Sequence, residues 1–199
     1  MGVGFMYSVK EKICNALNGL GRENSIEFIK QLDEVKSIQK LYDLSTKYFE
    51  EQGIKFYLAY GSNMDFNQMD WRCPNSVYFD KVKLNGYRFV LDEAGVASII
   101  EDCNSSVECV VWLCPEGDVE ILDWYEGVEA GYYEKAYIDI EIDGAIVEML
   151  VYFSNRNICY SSYDSRDVRS DYMERIIDAA ERLDFEENYI EELKKWRHS

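Results

Sequence analysis

The sequence predicts an α+β protein: a small mixed β-barrel with flanking short helices, preceded by an N-terminal helical extension. Two observations carry this. Apolar positions recur at intervals of three or four over residues 1–53, and from residue 54 the pattern shifts to short β-branched and aromatic runs separated by turn residues. Many short strands at close spacing, followed by terminal helices, are the signature of a compact barrel-like domain. The expected division is therefore 1–53 for the extension and 54–199 for the main domain.

The first helix is expected after a capping box of Ser8 with Glu11, ahead of Ile13, Leu17 and Leu20, with Gly19 near its end. Asn24 with Glu27 is suited to cap a second, longer helix whose apolar positions are Ile29, Leu32, Val35, Ile38, Leu41, Leu44 and Tyr48, ending near Gly53. The spacing is not a sustained heptad, so the pair reads as an amphipathic hairpin that packs on the main domain or on a partner.

Strands follow at Ile54–Ala59, Val77–Lys83, Arg88–Leu91, Ala97–Ile100, Cys109–Leu113, Ala136–Ile142 and Ile146–Phe153. Asn85-Gly86 and Asp143-Gly144 are expected hairpin turns, because glycine tolerates positive φ. Short helices are placed at Asn67–Arg72 and Val119–Tyr125. Two closing helices, Asp171–Leu183 and Glu186–Trp196, end the chain, the second capped by Asp184 with Glu187.

The composition narrows the function. With 199 residues and 47% hydrophobic content the chain can build a substantial core. A net charge of −17 argues against nucleic acid and against anionic membranes as partners. No apolar run reaches the ~18 residues of a membrane span. Met1-Gly2 lacks the Ser or Thr at position 6 that a myristoylation start requires. Six cysteines without a C-x-x-C pair, and one histidine, His198, speak against a zinc site and for a reducing, cytoplasmic setting. The missing histidine also removes the base of a Ser-His-Asp or Cys-His nucleophile. Neither metal nor cofactor is expected.

Two motifs remain as candidate chemistry. In Tyr60-Gly61-Ser62-Asn63-Met64 a buried strand stops at glycine and two small polar residues, so successive N–H groups can form a nest for an anion or a developing oxyanion. In Leu122-Asp123-Trp124-Tyr125-Glu126-Gly127-Val128, Glu126 has aromatic or small neighbours. Burial there raises a carboxyl pKa, as a general acid/base requires, although Glu126 also reads as the end of a short helix before Gly127. Asp123, three residues earlier, is either a second carboxylate or a holder of the turn. Tyr133 begins the next strand, as a substrate-orienting phenol or as core. Arg72-Cys73-Pro74 either brings a cation to the site or ends a helix before proline, and the second reading is favoured.

Together these motifs resemble the γ-glutamylcyclotransferase family, which includes the AIG2-like proteins. The family order runs through Tyr60–Met64, Arg72-Cys73-Pro74, Leu84–Arg88, Gly95–Ile99, Val110-Val111-Trp112, Leu122–Val128, Gly131–Tyr133 and Val151-Tyr152. Cys109 departs from the glycine frequent before the Val-Val-Trp strand, and Asp178-Ala179-Ala180 and Leu183-Asp184-Phe185 depart in the closing helices. The resemblance implies that Tyr60, Gly61, Ser62, Asn63 and Tyr133 hold a γ-glutamyl substrate and that Glu126 is the general acid/base. It also implies release of an amino acid or amine with closure of the glutamyl part to 5-oxoproline. The substrate's own α-amine is then the nucleophile, which suits a chain without a catalytic histidine. A reading from another class is a non-catalytic AIG2-like module that binds a small molecule. Residues 1–53 lie outside the resemblance and are candidates to cover the pocket or to mediate self-association.

Overall fold

The computed structural model describes residues 3–22, 25–160 and 170–197. Met1-Gly2, Asn24 and His198 lie outside these residues. The elements are α1 (Val3–Gly19), α2 (Ile26–Glu34), α3 (Ile38–Glu51), β1 (Ile54–Ala59), a 3-10 turn (Ser62–Met64), α4 (Phe66–Arg72), β2 (Val77–Asp92), β3 (Ala97–Pro115), α5 (Glu116–Glu126), β4 (Tyr133–Ile142), β5 (Ala145–Ser154), β6 (Ile158–Cys159), α6 (Ser170–Arg182) and α7 (Glu187–Lys194).

The six strands form one sheet in the order β4-β5-β1-β3-β2-β6. The α+β class holds, and the barrel is realised as a barrel-like sheet that does not close. β1 runs antiparallel to β3 and parallel to β5. The sheet curls enough for the start of β3 to meet β4 and β5: the Tyr133 hydroxyl donates to the Ala97 carbonyl at 2.6 Å, and Ser154 N–H donates to Ser98 Oγ at 3.1 Å. The candidate cavity opens at this meeting.

Asp143-Gly144 is a two-residue turn with φ of 53° and 78°, pairing Ile142 with Ala145 as expected. Asn85-Gly86 is not a turn. β2 runs through it, and the register jumps from Asn85↔Ser106 to Tyr87↔Glu101, so residues 102–105 bulge opposite Gly86. Continuous pairing on both sides keeps β2 and β3 as single long strands where four short ones were expected. The reversal lies at Asp92–Ala97, where Asp92 Oδ1 accepts from Ala94 and Val96 N–H and Gly95 takes a φ of 72°.

Three helix expectations also change. Ser8 lies inside α1, which begins five residues earlier, so it caps nothing. The long second helix breaks at Val35–Ser37, where Val35 and Ser37 are extended. The spacings of three between Ile29 and Leu44 explain this: each step turns the apolar stripe by about 60° against a 3.6-residue helix. The break resets the stripe, so Phe28 and Leu32 of α2 and Ile38, Leu41, Tyr42 and Phe49 of α3 all reach the core. α7 starts after Glu186 without a side-chain cap, while Asp184 sits in a left-handed turn with φ 53°.

The N-terminal helices share their core with the sheet: Val9, Ile13, Leu17, Leu41, Tyr42 and Phe49 are fully buried. Lys12 fastens α1, its ammonium 2.7 Å from Asp143 Oδ2 and also hydrogen-bonded to Asp80. Among the described residues no helix is long and apolar enough to cross a membrane.

Candidate active site

β1 delivers Tyr60 and Gly61 to the open end of the sheet, where the 3-10 turn begins with a hydrogen bond from Met64 N–H to Gly61 C=O. The N–H groups of Gly61, Ser62 and Asn63 precede that first bond and lack an intrahelical partner. Trp112 on β3 pins the loop by donating from Nε1 to the Asn63 carbonyl at 3.1 Å. Asp65 then caps α4 by accepting from Gln68 N–H at 2.9 Å.

α5 is held by Asp118, whose buried carboxylate accepts from Asn75 N–H, Asn75 Nδ2 and Ser76 Oγ at 2.8–2.9 Å. It ends at Gly127, which is left-handed at φ 64°, with Gly127 N–H on Trp124 C=O and Val128 N–H on Asp123 C=O. The helix-ending and catalytic readings of Glu126 are therefore compatible. The same termination points its carboxylate into the cavity.

The cavity is lined by Tyr57, Tyr60, Gly61, Ser62, Asn63, Ala97, Glu126, Tyr133, Tyr152 and Tyr172 and encloses about 30 Å³. All six site residues expected from the sequence, Tyr60, Gly61, Ser62, Asn63, Glu126 and Tyr133, come together there. Asp123 does not join them as a second carboxylate: it accepts from Tyr152 at 2.6 Å and from Lys135 at 2.8 Å, tying α5 to β5 and β4. Arg72 ends α4 and also reaches the site, donating to Asn63 Oδ1 at 2.9 Å and lying 4.3 Å from the Tyr125 ring centre.

Electrostatics separates the groups. Burial pushes the Glu126 carboxyl above its usual range, partly offset by Arg72 and by the hydrogen bond from Asn63. Burial also drives Tyr57, Tyr60, Tyr133 and Tyr152 well up, and Tyr172 to about 12, so these phenols stay protonated at neutral pH. Glu126 is thus the carboxylate, and the one group titrating toward neutrality, among the lining residues described.

Tyr57, Ala97, Tyr152 and Tyr172 also line the cavity and were not expected as site residues from the sequence. The Ala97 N–H donates to the Tyr172 hydroxyl at 3.0 Å, inside the cavity. Tyr172 is a helical residue with no local motif. A larger groove of about 700 Å³ lies against α7 with Lys83, Arg88, Glu108 and Tyr189, but Lys83 is paired with Glu186 and Arg88 with Asp102. Among the described residues no cluster of three or more His, Cys, Asp and Glu could hold a metal ion.

Comparison with known proteins identifies the family and the fold. The family model described as "Gamma-glutamyl cyclotransferase, AIG2-like" matches residues 57–174, and the chain belongs to that family. It is similar to the γ-glutamylcyclotransferase of Homo sapiens, 26% identical over 148 residues that span 69% of this chain and 76% of that protein. It is also similar to the γ-glutamylcyclotransferase of Bos taurus, 29% identical over 87 residues, 39% of this chain and less than half, 46%, of that protein. In structure it resembles a γ-glutamyl cyclotransferase with a TM-score of 0.62 at 22% identity, covering 71% of this chain and 86% of the other. YkqA from Bacillus subtilis gives a TM-score of 0.59 at 24% identity, covering 75% and 56%. These likenesses establish the fold.

Proposed function

We propose that the protein is a γ-glutamylcyclotransferase-type enzyme that releases an amino acid or amine from a small γ-glutamyl compound and forms 5-oxoproline. The observation that carries this reading is Glu126, a partly buried carboxylate with a raised pKa, hydrogen-bonded by Asn63 of the Tyr60–Asn63 loop at 3.0 Å. The family match spans both partners.

The substrate's α-nitrogen attacks its own γ-carbonyl carbon, and the bond from that carbon to the leaving nitrogen breaks. Glu126 takes a proton from the α-ammonium and returns one to the departing nitrogen, worth about 10²–10⁴-fold. The second ammonium proton ends on the released amine, and no electrons change hands. Folding the glutamyl chain into a five-membered ring exploits effective molarities of roughly 10⁵–10⁸ M. The N–H groups of Gly61–Asn63, which lack an intrahelical partner, suit either the tetrahedral oxyanion or the substrate α-carboxylate. The neutral phenols of Tyr60 and Tyr133 line the same cavity, each with its one proton already donated, to the Tyr152 and Ala97 carbonyls. A cavity of about 30 Å³ has room for water but not for a γ-glutamyl group, so binding requires lining side chains to move apart.

Residues 1–53 are read as a helical extension of a domain over 54–199. None of them lines the cavity among the described residues, which favours a packing or assembly role over a cover for the pocket. A cytoplasmic location fits the family's small-molecule chemistry.

The test is incubation with a panel of γ-glutamyl amino acids and γ-glutamyl amines, with 5-oxoproline measured directly. Turnover by the parent and its loss in Glu126→Gln are expected. Binding without 5-oxoproline across the panel means a non-catalytic module, and full activity of Glu126→Gln overturns the assignment of that residue.

A further inference from the structure

The orientation of the Asn63 amide is the key to Glu126, and it is set from outside the cavity. An Asn side chain has one acceptor oxygen and one donor nitrogen, and which of them faces a neighbour follows from the hydrogen bonds around it. Asn63 Oδ1 receives two donors, Gln68 Nε2 at 2.8 Å and Arg72 Nη1 at 2.9 Å. That leaves Nδ2 to face Glu126 Oε1 at 3.0 Å and the Tyr57 hydroxyl at 2.9 Å.

The Gln68 amide has the same ambiguity, resolved one step further out. Arg175 Nη1 lies 2.5 Å from Gln68 Oε1. A guanidinium only donates, so this oxygen must accept and Nε2 must point inward, where it also donates to Ser62 Oγ at 2.8 Å. Gln68 and Asn63 are both buried, so a reversed amide would face oxygen against oxygen and leave buried polar groups poorly paired. Arg175 on α6 thereby sets Gln68 on α4, Gln68 with Arg72 sets Asn63, and Asn63 presents a donor to the carboxylate.

We propose that Gln68, Arg72 and Arg175 are positioning residues that lock the Asn63 amide with its nitrogen on Glu126, favouring the ionised carboxylate that accepts the substrate proton. This rests on the reading of Glu126 as the acid/base. None of the three lines the cavity, so they act through Asn63 rather than on substrate.

The test titrates the Glu126 side-chain carboxyl by carbon NMR in the full-length protein, alongside the acidic limb of the pH–rate profile. Gln68→Met removes the inward donor, and Arg175→Met removes the group that orients it. Both are expected to move the Glu126 titration to higher pH, Gln68→Met further, because a donor to the charged form is lost. Arg175→Lys keeps a donor to Oε1 and is expected to titrate as the parent does. A parental titration in folded Gln68→Met, or in Arg175→Met where Gln68→Met fails to fold, overturns the proposal. So does an upward shift in Arg175→Lys equal to that of Arg175→Met. If the parent makes no 5-oxoproline while the titration still shifts, the catalytic reading fails and the positioning survives.

Discussion

Gly61 and Ala97 face each other so closely that a Cβ built on Gly61 would lie 3.0 Å from the Ala97 Cβ. The loop and the first residue of β3 meet backbone to side chain, and the lack of a side chain at 61 is what allows the two to line one cavity at this separation. Gly61→Ala crowds the Ala97 Cβ, so the loop or β3 must give by a few tenths of an ångström, at an expected cost of about 1–3 kcal/mol. Displacement of order 1 Å at a reacting centre costs about 10²-fold, so this smaller shift is expected to lower kcat/KM with a γ-glutamyl substrate by up to about tenfold. Adding Ala97→Gly to the same chain removes the facing Cβ and is expected to restore much of both. No rescue by the double variant would show that the contact is not the cause.

The pH dependence follows from Glu126. Its folded pKa is raised by burial, while the unfolded chain titrates near about 4.3. Below that value both states are protonated and the stabilising contribution is fully present. As pH rises the unfolded chain releases its proton first, so this contribution is lost progressively through the folded pKa. Glu126→Gln is therefore expected to melt higher than the parent at pH 7–8, with the difference vanishing below about pH 4. Scanning calorimetry across that range checks the sign. The acidic limb of the parent's rate profile is expected above the value of an ordinary glutamate.

Gly127 makes the turn that aims Glu126. It is left-handed at φ 64°, and a Cβ there would lie 2.6 Å from the Tyr132 ring. Gly127→Ala carries both the backbone penalty and the clash. A loss of about 2 kcal/mol or more is expected in urea unfolding, together with reduced turnover because the last turn of α5 carries the carboxylate.

Lys12 tests how firmly the N-terminal helices are built in. Burial opposes its charge, but hydrogen bonds to Asp143 and Asp80 outweigh this and raise its pKa. Both carboxylates are mostly buried, and Tyr42 also donates to Asp143 at 2.8 Å. Lys12→Met leaves two adjacent carboxylates without their cation, an expected loss of about 1–3 kcal/mol in urea unfolding. Turnover at temperatures where the variant is folded is expected to match the parent, because Lys12 is not among the residues that line the cavity.

Local chemistry decided which parts of this structure were legible in the sequence. Asp143-Gly144 reads as a turn because both residues must take positive φ, and they do. Asn85-Gly86 has the same local grammar but lies between two long paired stretches, and pairing on both sides overrides it. The Tyr60–Asn63 loop and Glu126 were legible because each is a contiguous motif. Gln68, Tyr172 and Arg175 were not, because each enters the site by a contact across 5 to 107 positions that no periodicity records. Arg72 illustrates both cases: its place before Cys73-Pro74 reveals the helix end, and only the fold reveals its hold on Asn63.

The clamp at Lys12 has a consequence for the order in which the molecule forms. Its two partners lie 68 and 131 positions further along the chain. A ribosome releases α1 well before these partners, and this helix cannot lock until β2 and the β4–β5 turn have emerged and paired. Until then Val9, Ile13 and Leu17 have no sheet to bury against, and closing so long a loop is slow. A helix made before its partners is among the last secured, so chaperone binding to nascent chains should concentrate there and fade once residue 143 has cleared the exit tunnel.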